Sequence, residues 1–337
     1  MATILKADVP PPSILKELNL PPLPAALVKL AIVIPCFNEE AVLRTTIAKL
    51  SIIREQLLNE GLIHPNSQIT FVDDGSTDRS WQLIELAARQ APYIHGIKLS
   101  GNKGQQNALL AALFHVKGDA VITLDADLQD DVAAIREMVI RHIAGAQIVY
   151  GVRSCRDTDS MLKRVTSENF YRIVRWMGVD IVFNHAEFRL LSRAAINALR
   201  QYREVNLFLR GIVPMLGFQQ EIVYYERGAR VAGVTKYSPA KLVALAWEAL
   251  SSFSAAPLRC ITLLGLALLA GSLLAGGWLL GMMLVGGRAL PAWASTVLPM
   301  ALLAGLQVLS VGVVGEYIAK IYTEVKRRPR YIIEKSI

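Results

Sequence analysis

Cysteine is scarce in this chain. Cys36, Cys155 and Cys260 are the only three in 337 residues, and their wide separation gives neither metal-ligand spacing nor a disulfide framework, which fits a reducing cytosol. No G-x-G-x-x-G turn follows any apolar run, so a Rossmann oxidoreductase loses its main support. Internal repeats and low-complexity arrays are absent too. The first residues, with prolines at positions 10–12, 21, 22 and 24, have no apolar core. Residues 1–28 therefore read as an irregular Pro-rich extension and not as a secretory signal.

Charge is almost missing from two long stretches, Ile261 to Val285 and Thr296 to Gly315, each long enough to cross a hydrocarbon core of about 30 Å as a helix. Arg288 is the only charge in the connector 286–294. Arg227, Arg230, Lys236, Lys241 and Arg259 precede the first stretch, and Lys320, Lys326, Arg327, Arg328 and Arg330 follow the second. That asymmetry predicts a two-helix transmembrane hairpin (261–318) with both flanks inside, hence a multi-pass protein of the cytoplasmic (inner) membrane with its large N-terminal region in the cytoplasm. Much of the net charge of +8 lies beside these spans, so anionic lipid is a cheaper partner for it than nucleic acid. Lys241 to Phe253, with Leu242, Leu245, Ala246, Ala249 and Leu250 at helical spacing, predicts an amphipathic juxtamembrane segment (236–260) at the membrane surface. Residues 319–337 read as a basic cytoplasmic tail.

Between residues 29 and 235 apolar β-branched runs alternate with helical patterns. Strands are expected at 30–35, 69–72, 94–99, 120–124 and 148–151, and helices at 41–57, 81–89, 107–116 and 132–143. Four βα units imply an α/β domain with a mostly parallel sheet flanked by helices. Such sheets bind ligands at the carboxyl ends of their strands, where three polar clusters fall: Pro35-Cys36-Phe37-Asn38-Glu39-Glu40, Asp73-Asp74-Gly75-Ser76-Thr77-Asp78 and Asp125-Ala126-Asp127-Leu128-Gln129-Asp130-Asp131. Helix capping accounts for Ser76 to Asp78 as well as a ligand does. It explains Asp73 and Asp74 less well, because neighbouring carboxylates repel unless a donor or cation holds them. In the third cluster Asp130 and Asp131 are expected to interact with the dipole of the following helix. Asp125 and Asp127, at a strand end, suit a hard cation such as Mg²⁺ or Mn²⁺ that bridges carboxylates and substrate phosphates.

These clusters, with Gly151-Val152-Arg153, Glu187-Phe188-Arg189-Leu190, Ser252-Phe253-Ser254, Pro257-Leu258-Arg259 and Gly315-Glu316-Tyr317, resemble the family-two glycosyltransferases of the GT-A fold. The C-terminal hairpin narrows the likeness to polyprenyl-phosphate glycosyltransferases, a group with bactoprenol glucosyltransferases and dolichol-phosphate mannose synthases among its members. The resemblance runs from about Leu30 to Ile333. It implies that Pro35, Phe37, Glu39, Asp73 and Asp74 surround the nucleotide of a UDP-hexose donor, with Asp125 and Ala126 beside them, and that Asp127 and Gln129 hold the metal. Asn102 and Gly104 occupy the family's short loop near the donor, although Gly101 stands where a basic residue is often found. The implied reaction is an inverting transfer, most simply of glucose, to a polyprenyl phosphate.

A phosphate monoester is largely dianionic at pH 7 and already nucleophilic, so such an acceptor needs a cationic clamp more than a general base. Arg153 and Lys163-Arg164 are candidates; a solvated helix face is the plain reading of the latter pair, and the resemblance raises Arg153 and Arg164 above it. Glu187 stands where many relatives carry Asp, a change that implies either an adjusted pocket or reduced activity. Arg189 is expected to pair with this carboxylate or with substrate phosphate. The expected catalytic set is thus Asp125, Asp127, Arg153, Arg164, Glu187 and Arg189. Two other readings stand beside this one. A processive polysaccharide synthase shares the nucleotide-binding half but needs more membrane helices and a Gln-rich, Trp-containing motif that is absent. A catalytically impaired lipid- or nucleotide-sugar-binding protein is suggested by Glu187 and Gly101. Gly and Ala in the spans permit a homo-oligomer.

Overall fold

A computed structural model describes residues 27–154, 185–204, 209–226 and 292–337, with isolated helical positions between 261 and 281. Strand β1 (Leu30–Cys36) leads into α1 (Glu40–Asn59), β2 (Gln68–Asp73) into α2 (Ser80–Gln90), β3 (Ile94–Leu99) into α3 (Gln105–His115) and β4 (Ala120–Thr123) into α4 (Ala134–Ile143). The four βα units expected from hydropathy are all present. After them come β5 (Ile148–Arg153), β6 (His185–Ser192), α5 (Arg193–Leu199), α6 (Leu209–Met215), β7 (Gln220–Tyr225), α7 (Ala292–Val325) and β8 (Ile333–Ser336).

The strands form one eight-stranded sheet in the order β7-β5-β6-β4-β1-β2-β3-β8. β1 pairs in parallel with β2 and β4, β2 with β3, and β5 with β7, whereas β6 runs antiparallel to β4 and β5, and β8 antiparallel to β3. The alternation within β1 shows why its sequence is continuously apolar. Leu30, Ile32, Ile34 and Cys36 face a core shared with Leu43, Leu50, Leu57, Ile84 and Met138, while Ala31 and Val33 face a second core with Leu109, Leu110, Leu113 and Ile196. A strand covered on both faces has no solvent side to make polar.

Helix α7 spans 34 residues, about 50 Å at 1.5 Å per residue. Within it Leu303–Val325 is the one stretch among the described residues long and apolar enough to cross a membrane, and none of it is buried. Val308, Leu309, Val311, Ile318 and Ile321 are all more than half exposed. The second expected span falls on this helix, which runs ten residues past Gly315 to Val325. The first span and the juxtamembrane segment lie almost wholly outside the described residues, so the described residues show one helix of this kind and leave the expected hairpin untested. Part of the expected tail is a strand, because β8 completes the sheet along the edge of β3.

Candidate active site

The sheet order reverses at β1, whose neighbours are β2 on one side and β4 on the other. At such a switch point the loops leave in opposite directions and open a crevice. The loops after β1, β2, β3 and β4 leave from this end of the sheet. Because β6 is antiparallel to β4 and β5, its start, with Glu187, lies at the same end as the close of β5, with Arg153. Topology alone therefore gathers residues from six segments.

The β1 to β3 side is laced by hydrogen bonds between side chains and backbone. The amide of Asn38 donates to Ser76 Oγ at 3.0 Å, and Asn38 Oδ1 accepts from the amide of Thr77 at 2.8 Å. The amide of Glu39 donates to Ser80 Oγ at 2.9 Å, and Asp78 accepts from the amides of Glu40 and Ser80. The adjacent carboxylates at the end of β2 are held apart by different donors. Asp73 accepts from the amide of Ser76, while Asp74 accepts from the amides of Lys103 and Gly104 at 2.7 and 2.9 Å. Burial raises both carboxyls above their ordinary value, and these amides oppose the rise. Gly75 has a positive φ of 71°, and a Cβ there would sit 2.7 Å from the backbone of Gly101 and Asn102. Only glycine allows both the turn and that approach.

The β4 to β6 side is laced by charge. Leu128, buried and with φ of 53°, turns the chain between Asp127 and Gln129, and Asp127 Oδ1 accepts from the amide of Gln129 at 3.2 Å. A left-handed leucine costs on the order of 1 kcal/mol or more and persists where surroundings dictate it. Asp125 accepts from Gln105 Nε2 at 2.6 Å. Burial, with Glu187, Asp130 and Asp127 nearby, pushes the Asp125 carboxyl up to about 7, against the pull of Arg210. Glu187 accepts from Gln106 Nε2 at 3.1 Å, Arg210 Nε at 2.8 Å and Arg189. Asp130 accepts from Tyr225 Oη at 2.5 Å and from Arg153 Nη2 at 3.1 Å, and its other oxygen is buried with no hydrogen-bond partner among the described residues. Burial and the Asp130 carboxylate push the Tyr225 hydroxyl far up, so it stays a donor.

Most of the expected residues meet here. Pro35, Phe37, Glu39, Asp73, Asp74, Asn102 and Gly104 line or underlie the hydrogen-bonded side, with Phe37 36 % exposed. Asp125, Ala126, Asp127, Gln129, Arg153, Glu187 and Arg189 form the charged side. Arg164 lies outside the described residues. Two expectations change. Asp131 does cap the next turn, accepting from the amide of Ala133 at 2.9 Å, but Asp130 is drawn inward to Arg153 and Tyr225 and is not a helix-dipole residue. Arg189 is 1 % exposed and also donates to the carbonyl of Leu209, so it lies behind Glu187 as its structural counter-ion, out of reach of a substrate phosphate.

Sequence reading missed Arg210, Gln105, Gln106 and Tyr225. Arg210, its side chain 38 % exposed, is the cation on Glu187 that a ligand can reach. Its only sequence signal is an ordinary basic residue after an undistinguished loop. The site's capacity for metal can be judged from its donors. Among the described residues no three His, Cys, Asp or Glu side chains form a closed ligand set, so these residues alone do not cage an ion. It does carry surplus carboxylate charge, an elevated Asp125 and an orphaned Asp130 oxygen, with Asp127 and Gln129 adjoining on one turn. That fits a hard divalent cation completing its shell with substrate phosphate and water.

Known proteins similar to this chain belong to one family of enzymes. The family described as glycosyl transferase family 2 matches residues 31–200. The chain belongs to that family. The glycosyltransferase YkoT of Bacillus subtilis (strain 168) is 46% identical over 307 residues, covering 90% of this chain and 91% of that protein. The SfII prophage-derived bactoprenol glucosyl transferase of Shigella flexneri is 38% identical over 309 residues, covering 91% of this chain and 98% of the other. Among solved structures, mannosyl-3-phosphoglycerate synthase from Rubrobacter xylanophilus aligns with a TM-score of 0.46 at 16% identity, over 66% of this chain and 72% of that one. The resemblance read from the motifs is thereby established at the level of the family.

Proposed function

We propose that this glycosyltransferase moves a hexose, most simply glucose, from a UDP-sugar to a polyprenyl phosphate at the cytoplasmic face of a membrane, with inversion at the anomeric carbon. The observation that carries the reading is the two-sided crevice at the switch point, in a chain similar over nine tenths of its length to a bactoprenol glucosyl transferase. The exposed apolar surface of Leu303–Val325 supports a membrane setting, since a helix so apolar and so uncovered suits lipid better than water.

In this reading the nucleotide lies along the β1 to β3 side, against Phe37 and the loop fastened by Asp74. Asp127 and Gln129 would hold Mg²⁺ or Mn²⁺, which when bound supplies positive charge to the departing diphosphate. The acceptor phosphate, already dianionic, needs no strong base. Arg210 and Arg153 draw it into line, each tethered by a carboxylate so that its position is fixed before the lipid arrives. Glu187 keeps Arg210 in place, and its donors Gln106, Arg189 and Arg210 favour an adjusted pocket over reduced activity.

The test is transfer of radiolabel from a panel of UDP- and GDP-sugars to undecaprenyl phosphate by purified protein, with Mn²⁺ or with EDTA. Label in the lipid phase from one UDP-hexose, only with metal, is the expected result. Donor binding without transfer would sink the reading in favour of a non-catalytic binding protein.

A further inference from the structure

The charged sheet edge at β3 is closed by the last residues of the chain, and the closure reaches the crevice. Beyond the β3–β8 ladder, Ile337 exchanges two backbone hydrogen bonds with Gly96, and the amide of Ser100 donates to the carbonyl of Ile332 at 3.0 Å. Lys98 pairs with Glu334 at 2.9 Å and Lys335 with Glu85 at 2.5 Å. Upstream, Arg330 donates to the carbonyl of Tyr202 at 2.9 Å, and the Tyr331 ring meets His115 of α3 edge-on, 6.1 Å between centroids.

Ser100 opens the loop that matters most on the donor side. Its other end is fastened by Asp74 through the amides of Lys103 and Gly104. The helix that follows at once delivers Gln105 to Asp125 and Gln106 to Glu187. One loop of five residues thus has its entrance pinned by the C-terminal strand and its exit pinned by the crevice.

We propose that residues 330–337 are a positioning element of the active site: as strand β8 they hold the Ser100–Gly104 loop, and through it Gln105 and Gln106, in the geometry that binds the donor nucleotide. Only residues 326–332 separate α7 from β8, so the loop's setting is tied to the apolar helix as well as to the sheet. The inference rests on the donor reading above, in which this loop borders the nucleotide. Its physical basis is that an edge strand contributes through backbone bonds, which a short loop cannot replace from within.

Two variants of the full chain test it: removal of residues 332–337, and Lys335→Pro, which takes one donor from the ladder while keeping the strand's apolar side chains. The probe is UDP with Mn²⁺, measured by calorimetry, alongside amide hydrogen exchange. Expected are an approximately tenfold weaker UDP affinity, equivalent to about 1.4 kcal/mol, and faster exchange at residues 100–107, with β1, β2 and β4 protected as before. A synthetic peptide of residues 329–337 added to the truncated protein should restore both. Unchanged affinity and unchanged exchange at 100–107 in both variants would overturn the inference. Failure of the unaltered protein to bind UDP would instead count against the donor reading, while the exchange result still decides whether the strand sets the loop.

Discussion

On one side of the crevice Asp73, Asp74 and Asp78 spend their oxygens on backbone amides of their own and neighbouring loops; on the other, Asp125, Asp127, Asp130 and Glu187 crowd together, with guanidinium groups on Asp130 and Glu187. The first side is a scaffold whose charges are consumed in holding loop against loop. The second brings carboxylates close to one another, visible in the raised Asp125 carboxyl, and among the described residues one oxygen of Asp130 has no hydrogen-bond partner. Carboxylates of similar sequence context therefore do different work. What separates the two sides is how many other ionised side chains lie close to each carboxylate.

That contrast can be broken first at its most charged point. Asp127→Ala is expected to lower transfer roughly 10³-fold, the loss of several kcal/mol of charge stabilisation, with unchanged circular dichroism and unfolding temperature; a fully active variant would remove the metal assignment. The next two changes separate the arginines on Glu187. Arg189→Ala leaves a carboxylate without its buried partner and is expected to destabilise by about 3 kcal/mol or more, read as a lowered unfolding temperature. Arg210→Ala, at the half-exposed partner, should leave that temperature within a degree or two and still reduce transfer on the order of 10²-fold. If the two variants behave alike, the division into structural and substrate-facing arginine is wrong.

On the scaffold side, Asp74→Asn removes the charge from two hydrogen bonds to the Ser100–Gly104 loop. The donor KM should rise about tenfold with little change in kcat, as expected for hydrogen bonds to a charged group worth about 1.5 kcal/mol; a fall in kcat alone would put Asp74 in the chemistry instead. The smallest effect is expected at Cys36. Burial, with Asp73, Glu39 and Asp78 nearby, raises its thiol well above the ordinary value, which disfavours the reactive thiolate. Peptide mapping after iodoacetamide treatment should show Cys36 unmodified in the native protein and labelled only after denaturation.

Much of this site was legible along the chain, and for a local reason. Apolar runs of strand length followed at once by acidic clusters place the clusters at strand ends, and parallel strand ends share one side of the sheet. Gln129 enters through the family resemblance, whereas Asp125 and Asp127 follow from that rule without any tertiary knowledge. Asp130 does not, because its partner Tyr225 is 95 residues away and nothing in the local pattern distinguishes an aspartate that turns inward from one that caps a helix. Arg189 was ambiguous for the same reason: its sequence neighbours say that it belongs with Glu187, but only packing shows that it is sealed behind it.

The sequence by itself determined the βα alternation, the positions of the acidic turns and the apolar stretch that became α7, since each depends on periodicity or composition within a window of some twenty residues. Tertiary structure alone decided which carboxylates are spent on amides and which crowd against one another, that Arg210 and two glutamines join the site, and that Ile333–Ser336 is a strand. The physical reason is distance along the chain. A four-residue segment reading Ile-Glu-Lys-Ser has little strand signal of its own, and it becomes one because the open edge of β3, 236 residues away at the Lys98–Glu334 pair, offers backbone groups that must be satisfied.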